Sequence, residues 1–524
     1  MKKNSAVWIL CMFLVLPALP VQAGSDPQQT LIMGRSVRPV SLDPALARDR
    51  ESSQISSHIF ETLVRVEDNG TGLEPGLAQS WAVTPEKGSW IFFLRPGVFF
   101  HDGTEFDAEA AAFSLARLTD PNHPYFLEDS ALEAGIRKNI QRINVLDRLT
   151  LLLEFHDPSD SVLSDLAHPG TAMVSPGAVE KHGPDFGSSP VGTGPFRHVH
   201  GLDRGEVILE KNPSFWGPAP ILDRVVYRFF PDNMDRFLAF KNQDIHVLDG
   251  IEPTDMPRLT RLADIRLFTR PGMSTSFLVM NVDRPPLDNI LVRRSISRSI
   301  NKEGLVKYLY QGHGVPASGL LPPSMEGFRQ DLEGNGYDPA GARELLMEAG
   351  LPGSFKANLW VMDSARPYLP RPVEAARLIK AGLAESGIQV QIMAMDWVSF
   401  VQGIVEGRHD LALLGWSPQT GDPVHFLDSN LGPDNTTPGR ATNVTFWQSP
   451  VMGRLLDQAR ASLDSGERTQ LLYAMQELIS QEIPLIPLAH PNLVVAAHGN
   501  VTGIIVQPNG ILRLHSAAIK PVGE

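Results

Sequence analysis

The stretch that most narrows the possible folds runs from 338 to 416, where helix and strand patterns alternate without a break. Asp338 is placed as an N-cap with Pro339 at the first helical position, Ala342, Leu345, Leu346 and Ala349 fall on one face, and Gly350 marks the stop. A strand, KANLWVM (356 to 362), follows, then a helix with Leu378, Ile379, Gly382 and Leu383 on one face. IQVQI (388 to 392) then alternates as a strand does, and DLALLGW (410 to 416) is a nearly continuous apolar run of the kind found in a strand covered on both faces. Strand, helix, strand, helix, strand predicts α/β architecture. Sheets of this type place ligands outside the carboxyl ends of their strands. The loops DSARPYLPRP (363 to 372) and GWSPQTGDPVHF (415 to 426) each follow such an end, so both are candidates to line one cleft. Earlier, residues 90 to 118 read as a strand ending at Pro96-Gly97, a turn at Asp102-Gly103 and a helix begun near Asp107.

At 524 residues, and ~150 per domain, the chain has room for about three domains. Its first 23 residues differ from the rest: Lys2 and Lys3, an apolar run from 6 to 20, then Val-Gln-Ala before Gly24. That order reads as a secretory signal peptide cleaved near Ala23-Gly24, because the run is shorter than the ~20 residues a membrane-spanning helix needs. The single cysteine, Cys11, leaves with it, so the mature chain must be stable through packing without disulfides. Losing Lys2 and Lys3 takes the formal charge from −13 to −15. That acidity, with no run of five basic residues, argues against nucleic acid as a partner.

The chain has no HExxH, CxxC, P-loop or GxSxG motif. VGTGPF (191 to 196) lacks the third glycine of a dinucleotide fingerprint and reads as a backbone crossing between domains. His198 and His200 have no third ligand nearby in sequence and read as a strand face rather than a metal site. FHDGTEF (100 to 106) sets His101 beside Asp102 but reads as a tight Asp-Gly turn rather than an acid/base pair. No catalytic residue, metal or cofactor is expected.

Nine segments, in order, carry a resemblance. They are SLDPA (41 to 45), IFETLV (59 to 64), LEPGLAQSW (73 to 81), FLRPGVFFHDGTEFDAEAAAFSL (93 to 115), SPVGTGPF (189 to 196), KNPSFWG (211 to 217), PPLDNILVRRSISRSINK (285 to 302), YDPAGARELLMEAG (337 to 350) and GWSPQTGDPVHFL (415 to 427). Together they resemble the peptide-type (family 5) extracellular solute-binding proteins of bacterial ABC importers. The likeness is greatest to dipeptide-binding members, through LWVMDSARPYLPRP (359 to 372). The resemblance implies a three-domain periplasmic-binding-protein fold, two-lobed and hinged, with an extra inserted domain. Domain I would take residues 24–59, 193–271 and 491–524, domain II 60–192 and domain III 272–490. It implies a monomeric periplasmic receptor, not an enzyme, that closes on a dipeptide, oligopeptide or peptide-like ligand and delivers it to an inner-membrane permease. The same role for a non-peptide ligand (a nickel chelate, haem, an N-blocked peptide or another carboxylate) is the alternative, and an exported peptide or cell-wall hydrolase is the remote one.

Residue by residue, Arg366 of ARPY falls where dipeptide-binding relatives clamp the ligand's terminal carboxylate, a task suited to a planar guanidinium. A structural arginine bonded to loop carbonyls is the plain alternative. Trp416 matches a family aromatic at the cleft edge, and Trp397 is a weaker candidate of the same sort; core packing is the plain reading of both. Three residues after that Trp, relatives carry an Asp that pairs with the ligand's α-ammonium, and here the position is Gln419. Removing one partner of a buried ion pair costs about 3 to 5 kcal/mol, roughly 100-fold to several thousand-fold in affinity. The expected ligand is therefore one whose amino end is blocked, modified or absent, unless Asp422, otherwise a turn-forming Asp-Pro, replaces the missing acid.

Overall fold

The computed structural model describes residues 29–521, apart from 69, 71, 85–88, 131–136, 138, 157–160, 202–204, 333–335, 352–354, 419 and 463. The leader expected at 1–23 and Gln419 therefore lie outside the described residues. No helix among the described residues is long and apolar enough to cross a membrane.

One twelve-stranded sheet runs through most of the chain. Its principal strands, in chain order, are β1 (Thr30–Arg35), β2 (Phe196–His200), β3 (Glu206–Lys211), β4 (Arg224–Phe229), β5 (Val247–Leu248), β6 (Ile265–Pro271), β7 (Thr275–Met280), β8 (Lys356–Met362), β9 (Gln389–Met395), β10 (Leu411–Trp416) and β11 (Leu485–His498). Their spatial order is β9-β8-β10-β7-β11-β5-β1-β4-β3-β2, with β6 and the short strand Gly314–Pro316 also paired to β11. The fourteen-residue β11 joins the two halves: Leu485–Ala489 pairs with β7, and Asn492–His498 pairs with β6. The chain crosses between the halves twice, at 271–275 and at 489–492. At the first crossing a side chain on Gly272 would sit 3.0 Å from the Pro491 carbonyl, so the close backbone approach favours glycine.

The local signals explain the α/β half. Asp338 accepts from the Gly341 N–H and caps the helix Pro339–Glu348, whose Ala342 and Leu346 are buried. The strands at 356–362, 389–395 and 411–416 form where the apolar patterns place them. In the helix Pro372–Glu385 the buried face is Pro372, Ala375, Ala376, Ile379 and Leu383. Leu378, expected on that face, is 39% exposed. It stands one helical step, about 100°, away from Ile379, and the two adjacent positions cannot both face the sheet.

The three largest apolar cores among the described residues accompany these strands. One draws only on residues between Met273 and Ala489. A second is built from Leu31–Phe60, Ala172–Val247 and Val495–Ala517, and a third from Leu63–Met173. The third lies under a separate four-stranded antiparallel sheet, Ala78–Val83, Ser89–Leu94, Thr150–Phe155 and Ile140–Asp147. In it Trp90, Phe92 and Leu94 alternate inward, and the helix Ala108–Thr119, capped by Asp107, supplies Ala108, Ala111 and Leu115 to the same core. Residues Ala172, Val174, Val179 and Phe186, expected within 60–192, pack into the second core. In VGTGPF, Cβ atoms on Gly192 and Gly194 would fall 2.2 Å from the Ile59 carbonyl and 2.6 Å from the His58 carbonyl, so this stretch is a close backbone crossing beneath the end of the helix α1 (Arg50–Ile59). His101 bonds the Gly194 carbonyl and Asp102 accepts from Ser175, so these neighbours do not form a pair.

Candidate functional site

The strands β8, β9 and β10 are parallel to one another, so their carboxyl ends share one edge. That edge points toward the crossover: Trp416, the last residue of β10, pairs with Thr275 at the start of β7, beside Ala489 and His490 of β11. On the other half, β1 and β5 are parallel to each other and antiparallel to β11, so their carboxyl ends, Arg35 and Leu248, are also directed toward the crossover. Two sets of strand ends therefore converge on the junction, the arrangement in which open α/β sheets hold ligands.

On the β8–β10 side, Arg366 sits in a tight turn whose backbone closes on itself. Its N–H donates to the Leu369 carbonyl at 3.0 Å, and the Leu369 N–H donates back at 2.9 Å. Tyr368 holds the turn from beneath. It is buried, its carbonyl accepts from the Tyr310 hydroxyl at 2.6 Å, and its ring occupies the place where a Cβ on Gly415 would be, 2.3 Å away. The glycine of the GW pair is thereby explained. The half-buried Arg366 guanidinium lies 3.9 Å from the centre of the Trp397 ring. Trp397, presented by Asp396 capping the helix Trp397–Val405, is 37% exposed and stacks on Phe400. Among the described residues no carboxylate lies within ion-pair distance of Arg366, and its Nε is enclosed without a hydrogen-bond partner. A cation held on an aromatic face with no counter-charge is equipped to receive an external carboxylate. The structure thus brings Arg366 and Trp397 together.

Trp416 is half-buried and packs against the apolar core. The loop after it is tied down by Ser417 to Ser274 at 2.7 Å, and Gly421 abuts Met273 and the Gly70 carbonyl. Asp422 is buried, and its oxygens are engaged within the protein. It caps the helix Pro423–Leu431 by accepting from the Val424 and His425 N–H groups, and it pairs with both its oxygens to Arg468 at 2.9 and 3.0 Å.

The opposite set of strand ends carries an ion network absent from the sequence expectations. Arg35 is buried against Glu51 and Asp249, and Arg50 donates to both oxygens of Asp249 and to the Gly510 carbonyl. Burial opposes ionisation of Asp249, but the guanidiniums of Arg50 and Arg35 outweigh it and bring its pKa down to about 2. No local signal marks this cluster, since Arg35 and Asp249 are 214 residues apart. A cavity of about 320 Å³ lies farther along α1, lined by Glu61, Arg95, Trp216 and Arg513 among others. It is not lined by Arg366, Trp397, Trp416 or Asp422.

Comparison with known proteins places this geometry. Residues 72–438 match the family described as bacterial extracellular solute-binding proteins, family 5, middle region. The dipeptide-binding protein of Escherichia coli (strain K12) is 28% identical over 533 residues, covering 98% of each chain. The glutathione-binding protein GsiB of the same strain is 32% identical over 476 residues, covering 90% of each. The periplasmic binding protein DppA of Helicobacter pylori, solved in complex with the peptide STSA, superposes with a TM-score of 0.80 at 29% identity, over 94% of this chain and 98% of that one. With a family match over most of its length and relatives aligned nearly end to end, this chain belongs to the family 5 bacterial extracellular solute-binding proteins.

Proposed function

We propose that the chain is the periplasmic receptor of an ABC importer and captures a peptide or peptide-like ligand between its two sets of strand ends. The observation that carries this reading is Arg366, a cation on the face of Trp397 with no counter-charge among the described residues, in a family whose relatives include dipeptide- and glutathione-binding proteins. Arg366 receives the ligand's carboxylate, and Trp397 and Trp416 offer apolar area to its side chains. The two crossings at 271–275 and 489–492 form the hinge, and closure buries the ligand between the lobes. The closed receptor, exported by its leader and acting as a monomer, is what the inner-membrane permease reads.

The amino end of the ligand is read differently from that of an ordinary dipeptide. By the family resemblance Gln419 takes the place of an acid, and Asp422 is occupied by Arg468 and a helix terminus. An amide at 419 donates to a carbonyl, as an ionised Asp cannot, which suits an acylated or otherwise modified amino end. Native mass spectrometry of the purified protein is expected to reveal a co-purified small carboxylate, and Arg366→Gln to weaken its binding by about 100-fold, the equivalent of about 3 kcal/mol. A variant that binds the same molecule undiminished would refute the role given to Arg366. Gln419→Asp is expected to improve binding of unmodified dipeptides relative to acetylated ones.

A further inference from the structure

The cavity beside α1 is walled by an arginine that forms no ion pair among the described residues. The C-terminal hairpin, Ile505–Val506 and Leu512–Arg513, lies along α1, where the Gln54 amide exchanges two hydrogen bonds with the Leu512 backbone. This places Arg513 in the cavity wall, facing the segment that follows α1. Arg35 is matched by Glu51 and Asp249, Arg117 by Asp43, and Arg293 by the carbonyls of Leu287, Asp288 and Glu482, while Arg236, with no carboxylate within ion-pair distance, still donates to Asn233 and the Gly250 carbonyl. Arg513 has no carboxylate within 4.0 Å among the described residues, and its Nε is enclosed with no partner. Burial, then the nearby Arg65, lowers its pKa, outweighing Asp68, Glu61 and Glu74, which raise it from beyond ion-pair distance.

Most of the remaining charged groups around the cavity are committed elsewhere; Asp68, partly exposed at its rim, approaches only His515, at 4.0 Å. Glu61 accepts from the Trp216 indole at 2.9 Å and the Thr193 hydroxyl at 2.8 Å. Arg65 pairs with Glu74 at 3.0 Å, while Arg95 donates to the Gly76 carbonyl and lies 4.4 Å from the Trp216 ring centre. Pro44, Pro169, Phe215 and Ile511 add apolar wall. At about 320 Å³ the space holds far more than a water and falls at the lower end of small-molecule sites.

We propose that this cavity is a second ligand site, separate from the Arg366 cleft, that takes a small monocarboxylate with an apolar body, its carboxylate paired to Arg513. The acid is a free metabolite and not the transported ligand, whose carboxylate goes to Arg366, so binding here does not depend on Arg366. The test is calorimetric titration of ligand-free, full-length protein with N-acetyl-L-leucine and with its C-terminal amide. The expected result is a binding event for the acid, absent for the amide. Arg366→Gln retains that event, Arg513→Gln weakens it at least 30-fold, and Ser57→Phe, which fills the cavity and leaves Arg513 in place, abolishes it. Ligand-free R513Q is expected to melt no lower than wild type, since the substitution removes a charge that burial disfavours and no ion pair holds. Four results would each overturn the proposal: R513Q and S57F that bind as wild type does, an event lost in R366Q, equal binding of the amide, or a lowered melting temperature in ligand-free R513Q. Loss confined to R366Q bears instead on the Arg366 cleft, so the two readings fail separately.

Discussion

Replacing Asp422 with Ala removes two interactions at once. The helix Pro423–Leu431 loses the acceptor for its first two free N–H groups, worth about 1 kcal/mol. Arg468, largely buried, loses a carboxylate held through both oxygens, and breaking a buried pair costs about 3 to 5 kcal/mol. Glu326, 3.8 Å away and partly exposed, still faces Arg468, so the lower end of that range applies and the total is about 4 kcal/mol. At ~2 to 4 °C per kcal/mol for a unit of this size, the half built on residues 273–489 should melt on the order of 10 °C lower. Asp422→Asn keeps the cap and should lose about 1 kcal/mol less, because Asn is as good an N-cap as Asp. Combining Asn with Arg468→Met should recover most of the remainder, because the uncompensated charge is gone. Differential scanning calorimetry measures all three. If D422A melts like wild type but no longer binds the co-purified ligand, Asp422 is a ligand acid and the structural assignment is wrong.

Two further outcomes follow from the packing. Burial lowers the pKa of His58 and His490 to about 3 and of His101 and His409 to about 4, against an ordinary value near ~6.5. Folded depression means the unfolded chain takes up these protons first, so each histidine removes up to about 1.4 kcal/mol of stability per pH unit as pH falls from ~6.5 toward ~4. Glu61, raised to about 6 by burial, returns part of this between pH ~6 and ~4.5, leaving a net loss. The urea midpoint should therefore be lower at pH 5 than at pH 7, and an unchanged or higher midpoint would contradict the burial of these rings. Gly415→Ala drives a Cβ into Tyr368 and toward the Thr275 carbonyl, which should cost about 1 to 3 kcal/mol of stability. It should also weaken carboxylate ligands by displacing the Arg366 turn; an Ala variant that keeps full affinity would show that the turn is not positioned from below.

The parts of the fold written in local chemistry were legible beforehand. Asp338-Pro339 and Asp107 are capping signals that need no knowledge of the tertiary structure, and the apolar run 410–416 has the composition of a covered strand. Leu378 and Ile379 show the limit of such signals: adjacent apolar residues leave the buried face ambiguous by one helical step, and only the sheet decides. The contact of Arg366 with Trp397 follows from two loops leaving parallel strands at one edge, which strand order suggests but cannot measure. The sequence favours Asp422 as a turn residue only slightly over a ligand acid, because its partner Arg468 lies 46 positions away. The Arg35–Asp249 network and the Arg513 cavity join segments hundreds of residues apart, and they rest on burial and on ion pairs made or, for Arg513 among the described residues, not made, none of which a linear pattern encodes.

The account rests on Arg366 receiving a ligand carboxylate. Titrating ligand-free protein calorimetrically with N-acetyl-Met-Leu and with the same compound as its C-terminal amide isolates that contact. The account predicts binding of the acid that is weakened about 100-fold or more by amidation, with R366Q, tested together with R513Q to remove the second carboxylate site, binding both equally poorly. Equal affinity for acid and amide in the wild-type protein would contradict it.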